Sequence, residues 1–244
     1  MCLYCYLVCN YNKCAYLRLF VNREQMLERL LRMSFKSSQD FTFEIGSNSD
    51  LILENTITRN LEWVIPQFAQ KGKGRITFPT KFAMVEPLLS LEHQNKTLFR
   101  MSVNPQRFIS RIELGTSPLD QRLRALNQMG EAGYPVGILI APVILIDNWQ
   151  SLYTEMLEQL CAVLTDKVKR QLLVEIIFMT YSYIHRAINQ DAFPGAVNLY
   201  DPEQMVGRGR GKYCYRQEVR GPAEEFFKEQ LAQKLPEAKI AYIS

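Results

Sequence analysis

Histidine is almost missing from this 244-residue chain, which has only His93 and His185. Chemistry built on several imidazoles, a three-histidine zinc centre included, is therefore excluded. No apolar run approaches the roughly 18–20 residues of a membrane span, and the N-terminus lacks a basic start followed by an apolar stretch. No membrane segment or secretory leader is expected, and the chain reads as cytoplasmic. There is no short internal repeat, and low complexity is confined to the Gly-Arg stretch 207–212. Charge is nearly balanced: 29 Lys+Arg against 25 Asp+Glu leave +4, which permits an anionic partner without demanding one. Cysteine is absent from 15–160, whereas Cys2, Cys5, Cys9 and Cys14 crowd the start. Without a leader, that grouping argues for metal or redox use over a disulfide frame.

What is present is a regular alternation. The chain is 47% apolar, and its length suits one large α/β domain or two small ones. Apolar strands are expected at 16–21, 41–45, 75–78, 98–103, 136–140 and 172–178. Between them fall amphipathic helical stretches. Asn22 can cap the first, which carries Met26, Leu27, Leu30 and Leu31 on one face. A long second helix is expected over 51–70, with Pro66 able to kink it. Lys81 and Phe82 are expected to open a third. Ser117 with Pro118 starts another, carrying Leu119, Leu123, Leu126 and Met129 and stopped by Gly133. The stretch 149–164 is expected to be helical. Six apolar strands alternating with helices imply parallel βαβ units in a sheet covered on both faces, so the fold class is α/β. Beyond about Thr180 the pattern loosens into the Gly-Arg stretch, a last helix near 223–234 and a short strand at 240–243.

In such sheets ligands sit at the carboxyl ends of the strands. The residues there are unusually polar: Ser49 and Asp50 after the second strand, Lys81 after the third, Ser102 and Asn104 closing the fourth, with Ala141-Pro142 closing the fifth. Any one of these is an ordinary helix cap; their recurrence at successive strand ends points to a site. The opening cysteines precede the first helix, facing the same rim. By spacing alone, Cys2-x2-Cys5-x3-Cys9-x4-Cys14 is compatible with a four-thiolate zinc site, a partial iron–sulfur site or a reduced terminus.

The stretches Cys2-Leu3-Tyr4-Cys5-Tyr6-Leu7, Phe43-Glu44, Ser49-Asp50, Thr80-Lys81, Ser102-Val103-Asn104, Gly115-Thr116-Ser117-Pro118-Leu119, Ala132-Gly133-Tyr134-Pro135, Ala141-Pro142 and Gly211-Lys212-Tyr213 resemble, in one register, the spore photoproduct lyase family of the radical S-adenosylmethionine superfamily. The resemblance implies a partial (β/α)6 barrel over 1–180, lacking its first strand, with a C-terminal part over 181–244. It implies a Cx3CxxC loop holding a 4Fe-4S cluster, with S-adenosylmethionine on the open iron. It further implies an adenosyl radical that reverts a thymine-dimer photolesion in DNA, and an electron donor such as flavodoxin or ferredoxin. Matched position by position, Cys2 and Cys5 are cluster ligands. Tyr6, Ser49, Asp50, Lys81, Ser102, Asn104 and Ala141 line the S-adenosylmethionine pocket, and Tyr4 and Tyr6 lie on the radical path.

This chain departs from the family in two respects. It opens too late to include the first cluster cysteine, from which a start site placed too far downstream is expected, or else a truncated product. Where the family keeps a hydrogen-donating cysteine it has Ser47, whose O–H bond is too strong for that step; Cys9, Cys14 or Cys214 are substitute thiols. The segment 207–215 is the nucleic-acid candidate. Arg208, Arg210 and Lys212 suit phosphates, the glycines allow close approach, and Tyr213 and Tyr215 can stack or bond. The expected function is a radical S-adenosylmethionine lyase acting on DNA photolesions or a related substrate. The alternative is a catalytically silent nucleic-acid-binding relative.

Overall fold

The computed structural model describes residues 2–5, 7, 19–146 and 148–244. Helix α1 (Arg23–Ser34) leads to strand β1 (Thr42–Glu44), helices α2 (Leu51–Thr58) and α3 (Asn60–Lys71), and strand β2 (Arg75–Thr80). Strand β3 (Thr97–Val103) is followed by α4 (Gln106–Ile112) and α5 (Leu119–Glu131), and β4 (Val136–Val143) by α6 (Trp149–Val163) and α7 (Asp166–Gln171). After β5 (Leu173–Phe178) come β6 (Thr180–Ser182), α8 (Tyr183–Ala192), β7 (Met205–Gly207), β8 (Lys212–Tyr215), α9 (Gln217–Lys234) and β9 (Lys239–Ile243).

Six strands pair in the order β1-β2-β3-β4-β5-β9, every pair parallel. They form the α/β half-barrel that the alternation and the family resemblance imply. The outer face is apolar because each strand alternates: Phe78 on β2 and Phe99, Met101 and Val103 on β3 are fully buried. The apolar stripe Leu119, Leu123, Leu126 and Met129 of α5 is buried, and α5 packs over β3. Burying a side chain of this size contributes roughly 1.5–3 kcal/mol. A second, antiparallel sheet, β6-β8-β7, carries the Gly-Arg turn.

Several local expectations give way to side-chain hydrogen bonds. The stretch 51–70 is two helices, broken at Arg59, whose φ is +54°, and not at Pro66, which lies inside α3. Asn55 explains the break, because its Oδ1 accepts from the backbone N–H of Leu61 (2.9 Å) and Glu62 (3.4 Å) and so caps α3 from the preceding helix. No α-helix starts at Lys81; after β2 the chain makes only a short 3₁₀ turn, Glu86–Leu88. The N–H groups of Lys81, Phe82 and Ala83 are taken by Asp50 Oδ2, Thr80 Oγ1 and Ser117 Oγ instead. The last helix starts at Gln217, six residues earlier than expected, with Pro222 inside it. The strand expected at 16–21 lies mostly outside the described residues; its described end, Leu19 to Val21, is irregular and exposed.

The concave face is polar at its floor. Arg100 of β3 donates from Nε to Thr77 Oγ1 of β2 (2.9 Å) and from Nη1 to both oxygens of Glu175 on β5 (3.2 and 3.1 Å). Its Nη2 donates to Glu44 of β1. Tyr242 of β9 adds a 2.8 Å bond to Glu175 Oε2, and burial followed by that carboxylate pushes its phenol up to about 12. One guanidinium thus ties strands across the whole sheet. Removing one partner of a buried pair leaves an uncompensated charge. Arg100→Met is expected to lower unfolding free energy by about 3–5 kcal/mol, whereas Arg124→Ala, at an exposed pair with Asp120, costs under about 1 kcal/mol. Urea denaturation of the two variants measures the difference.

Candidate active site at the carboxyl ends of the strands

Asp50 is the N-cap of α2. Its Oδ1 accepts from the N–H groups of Ile52 and Leu53 and from Thr80 Oγ1 (2.8 Å), and its Oδ2 accepts from the Lys81 N–H (2.8 Å). Burial pushes its carboxyl up despite those donors. This clasp fixes the point at which the chain leaves β2 and therefore where the Lys81 side chain emerges. The Lys81 Nζ donates to Ser102 Oγ (2.8 Å), and Ser102 Oγ donates to the Ala141 carbonyl (3.2 Å). Asn104 lies one layer on from Ser102 and is fully buried. Its Nδ2 donates to Glu113 Oε1 and the Pro142 carbonyl, both at 3.2 Å, and its Oδ1 accepts from Tyr153.

The cysteine-bearing segment docks on the same rim. The Leu3 N–H donates to the Ile112 carbonyl (2.9 Å), Cys2 makes a backbone bridge with Glu113, and Asn189 Nδ2 of α8 donates to the Leu3 carbonyl (2.6 Å). Leu3 is thereby buried while Cys2 and Cys5 stay partly accessible. Burial pushes the Cys2 thiol up, partly opposed by Lys81. The Tyr4 phenol donates to Glu113 Oε1, with the Lys81 ammonium 5.9 Å from the centre of its ring. Burial and then Glu113 push that phenol well above its ordinary value, so it stays protonated.

Two residues at the centre of this arrangement escaped the sequence reading. Glu113 caps the C-terminus of α4 and is without solvent access; its Oε2 accepts from Arg122 Nη2 (2.7 Å), and Lys81 Nζ lies 3.9 Å from its Oε1. Arg122, equally buried, also donates to the carbonyls of Ser117 (2.7 Å) and Ser102 (2.9 Å) and to Thr116 Oγ1 (2.7 Å). Burial alone would raise the Glu113 carboxyl, but Lys81, Arg122 and the Tyr4 hydrogen bond outweigh it and hold it below the usual carboxylate value. The signal was available in outline: Arg122 interrupts the apolar stripe of α5 beside Leu119 and Leu123, where only a paired charge is tolerated.

The structure thus brings Cys2, Tyr4, Asp50, Lys81, Ser102, Asn104 and the Ala141 carbonyl to one rim. Ser49 is exposed on the turn preceding Asp50. Tyr6, Cys9 and Cys14 lie outside the described residues. Ser47 is exposed, and its Oγ donates to Glu44 Oε1 (3.3 Å). Among the described residues no three of His, Cys, Asp and Glu are disposed to hold a metal ion. Cys2 and Cys5 thus account for two thiols, short of a complete cluster set, whereas the hydroxyl, amide and ammonium groups suit a polar zwitterion with a ribose. No described helix is long and apolar enough to cross a membrane.

The Gly-Arg segment is the β7–β8 turn. Gly209, Arg210 and Gly211 all have positive φ (86°, 51° and 69°), and the Arg208 N–H donates to the Lys212 carbonyl (2.8 Å). Arg208, Arg210 and Lys212 project into solvent and, with Thr180 and Gly209, line a shallow cavity of about 460 Å³. Among the described residues three cations and no carboxylate line it. Tyr213 packs edge-on against Tyr200 at 4.8 Å. Tyr215 turns inwards, its Oη accepting from the Leu145 N–H (2.9 Å), while Cys214 is half-buried on β8.

A family model described as spore photoproduct lyase matches residues 1–244. The chain is 32% identical over 248 residues to the spore photoproduct lyase of Bacillus subtilis (strain 168), covering 100% of this chain and 72% of that protein. It is 29% identical to the one from Geobacillus sp. (strain Y412MC61), covering 100% and 73%. A solved double mutant of spore photoproduct lyase, with bound AdoMet and dinucleoside spore photoproduct, superposes with a TM-score of 0.92 at 27% identity, covering 100% of this chain and 73% of that one.

Tyr153 supports the rim from below: its Oη accepts from the Ile144 N–H (2.9 Å) and donates to Asn104 Oδ1 (3.0 Å). Losing that oxygen leaves two buried groups without a partner. Tyr153→Phe is expected to cost about 2 kcal/mol or more of stability, against a few tenths for Tyr183→Phe at an exposed position; chemical denaturation distinguishes them.

Proposed function

Because the chain belongs to the spore photoproduct lyase family, we propose that it is a radical S-adenosylmethionine lyase that repairs thymine-dimer photolesions in DNA. The observation that carries this reading is the rim itself. Lys81 at the end of β2 and Ser102 and Asn104 at the end of β3 lie within hydrogen-bond reach of one another or of shared partners, beside the Cys2–Cys5 segment. In this reading Lys81 meets the carboxylate of S-adenosylmethionine. Ser49, Ser102 and Asn104 serve its ribose and amino groups, the Ala141 carbonyl and Tyr6 complete the pocket, and Asp50 holds Lys81 in place. S-adenosylmethionine, when bound, supplies the adenosyl group that starts the reaction. Cys2 and Cys5 are two ligands of the 4Fe-4S cluster, and a small electron-transfer protein such as flavodoxin or ferredoxin is its reductant. Tyr4, half-buried and protonated, borders the space between pocket and substrate. The protein works in the cytoplasm, and the division into a barrel over 1–180 and a C-terminal part over 181–244 is part of the same reading.

The substrate side rests on the β7–β8 turn. Arg208, Arg210 and Lys212 take phosphates, with the backbone of Gly209 and Gly211 allowing close approach. Tyr213 offers a ring edge at the turn, and Tyr215 anchors the hairpin from inside.

Ser47 favours a second reading, a relative that binds lesions without completing repair, because it places a hydroxyl bonded to Glu44 where the family has a thiol. One assay separates the two. Protein handled without oxygen, given reductant, S-adenosylmethionine and an oligonucleotide carrying the photoproduct, is expected to release 5′-deoxyadenosine and restore thymines. Lesion binding with no release supports the second reading, and binding of neither ligand overturns both. Replacing Arg208, Arg210 and Lys212 together by Ala is expected to weaken oligonucleotide binding at any sequence. It should also reduce the slope of log affinity against log salt by up to about 2–3, as measured by fluorescence anisotropy at several salt concentrations.

A further inference from the structure

Glu113 belongs to no motif recognised in the sequence, yet it is the point where four separate segments meet. Tyr4 reaches it from the N-terminal segment, Lys81 from the end of β2, Asn104 from the end of β3 and Arg122 from α5. Tyr4 and Asn104 donate to its Oε1 and Arg122 to its Oε2, and the carboxylate is without solvent access, so it acts through the groups it holds. It also sets a charge. Lys81 and Arg122 bring two positive charges to the rim, and Asp50, which contacts the Lys81 backbone, and Glu113 bring two negative ones. The Arg100–Glu175–Glu44 network, one cation with two carboxylates, lies on the floor and is the same in every variant compared below. Removing Glu113 alone would make the rim one charge more positive; removing Arg122 alone would do the reverse.

We propose that Glu113 is a specificity-determining positioning residue. With Arg122 it holds Tyr4, Asn104 and Lys81 in register, and its charge allows a pocket that needs Lys81 for a carboxylate to accept a cationic sulfonium as well. The proposal rests on the S-adenosylmethionine reading. S-adenosylmethionine and S-adenosylhomocysteine share every polar group and differ by one methyl and one positive charge at sulfur. A lost hydrogen bond or loosened packing weakens both alike, whereas a change in rim charge alters their ratio. A unit charge in a partly buried site changes the affinity for another unit charge nearby by roughly tenfold.

The test is calorimetric titration of the purified 244-residue chain with each compound, for the unaltered protein and for Glu113→Gln, Arg122→Gln and the double variant, with thermal unfolding recorded alongside. Glu113→Gln is expected to shift the ratio of affinities about tenfold toward the thioether. Arg122→Gln is expected to shift it toward the sulfonium, and the double variant to return to the original ratio with both affinities reduced. Where Glu113→Gln fails to fold because Arg122 is left buried and unpaired, Arg122→Gln, with a shifted ratio, and the double variant, with the original one, still test the proposal. A ratio that stays constant across the folded variants overturns the role of Glu113 while leaving the S-adenosylmethionine reading in place. If the unaltered chain binds neither compound, that reading falls and this proposal falls with it.

Discussion

Glu113 is shut off from water, and a carboxylate so placed remains ionised only because Arg122, Lys81 and the Tyr4 hydroxyl offset the lost hydration. The dependence runs both ways. Arg122 is equally buried and spends its remaining donors on the Ser102 and Ser117 carbonyls, so the pair fixes the backbone at the end of β3 and at the entry to α5 simultaneously. The backbone bridge between Glu113 and Cys2 then places the cysteine segment against that fixed point. A rim made of separate loops acquires one geometry because its members share one charge.

The half-barrel contains a polar floor and, further along the strands, a polar rim. Alternation on β3 puts Arg100 on the floor, Ser102 one layer up and Asn104 at the rim, while Phe99, Met101 and Val103 face the helices. The floor layer is closed: Arg100 satisfies Thr77, Glu175 and Glu44, and Tyr242 completes Glu175. The rim layer keeps unspent capacity: among the described residues the Lys81 ammonium donates to Ser102 and otherwise approaches a carboxylate only at Glu113, 3.9 Å away. That contrast separates a layer that sets curvature from one that meets a ligand.

The strands were legible because runs such as Val136 to Ile140 are apolar without interruption and can serve only a sheet covered on both faces. Asp50, Lys81, Ser102 and Asn104 were legible as a group by their place after strands, which is a property of chain order. What could not be read depended on contacts between distant residues. The break at Arg59 needs Asn55 to reach forward over six residues, and the irregular path after Lys81 needs Asp50 and Ser117 to capture backbone donors from 31 and 34 residues away. Glu113 and Arg122 are the extreme case. Arg122 stands out only as a charge inside the apolar stripe of α5 and Glu113 looks like a surface charge, and only their meeting makes either buried position tolerable.

The same dependence on shared backbone joins the pocket to the Gly-Arg turn. Ile144 and Leu145 are consecutive residues just after β4; the first donates to Tyr153, which holds Asn104 at the rim, and the second donates to Tyr215, which anchors β8. Burial pushes both phenols above their ordinary values, so both stay protonated at neutral pH. Tyr215 pairs in register with Met205 and its neighbour Cys214 with Val206, so the turn bearing Arg208 and Arg210 is carried by a hairpin fastened at the peptide group next to the one that supports Asn104. A displacement of the hairpin relative to the barrel would have to break the Leu145 bond before it could leave the pocket untouched. The distance between the cationic turn and the rim is therefore set by the fold and not by whichever ligand arrives first.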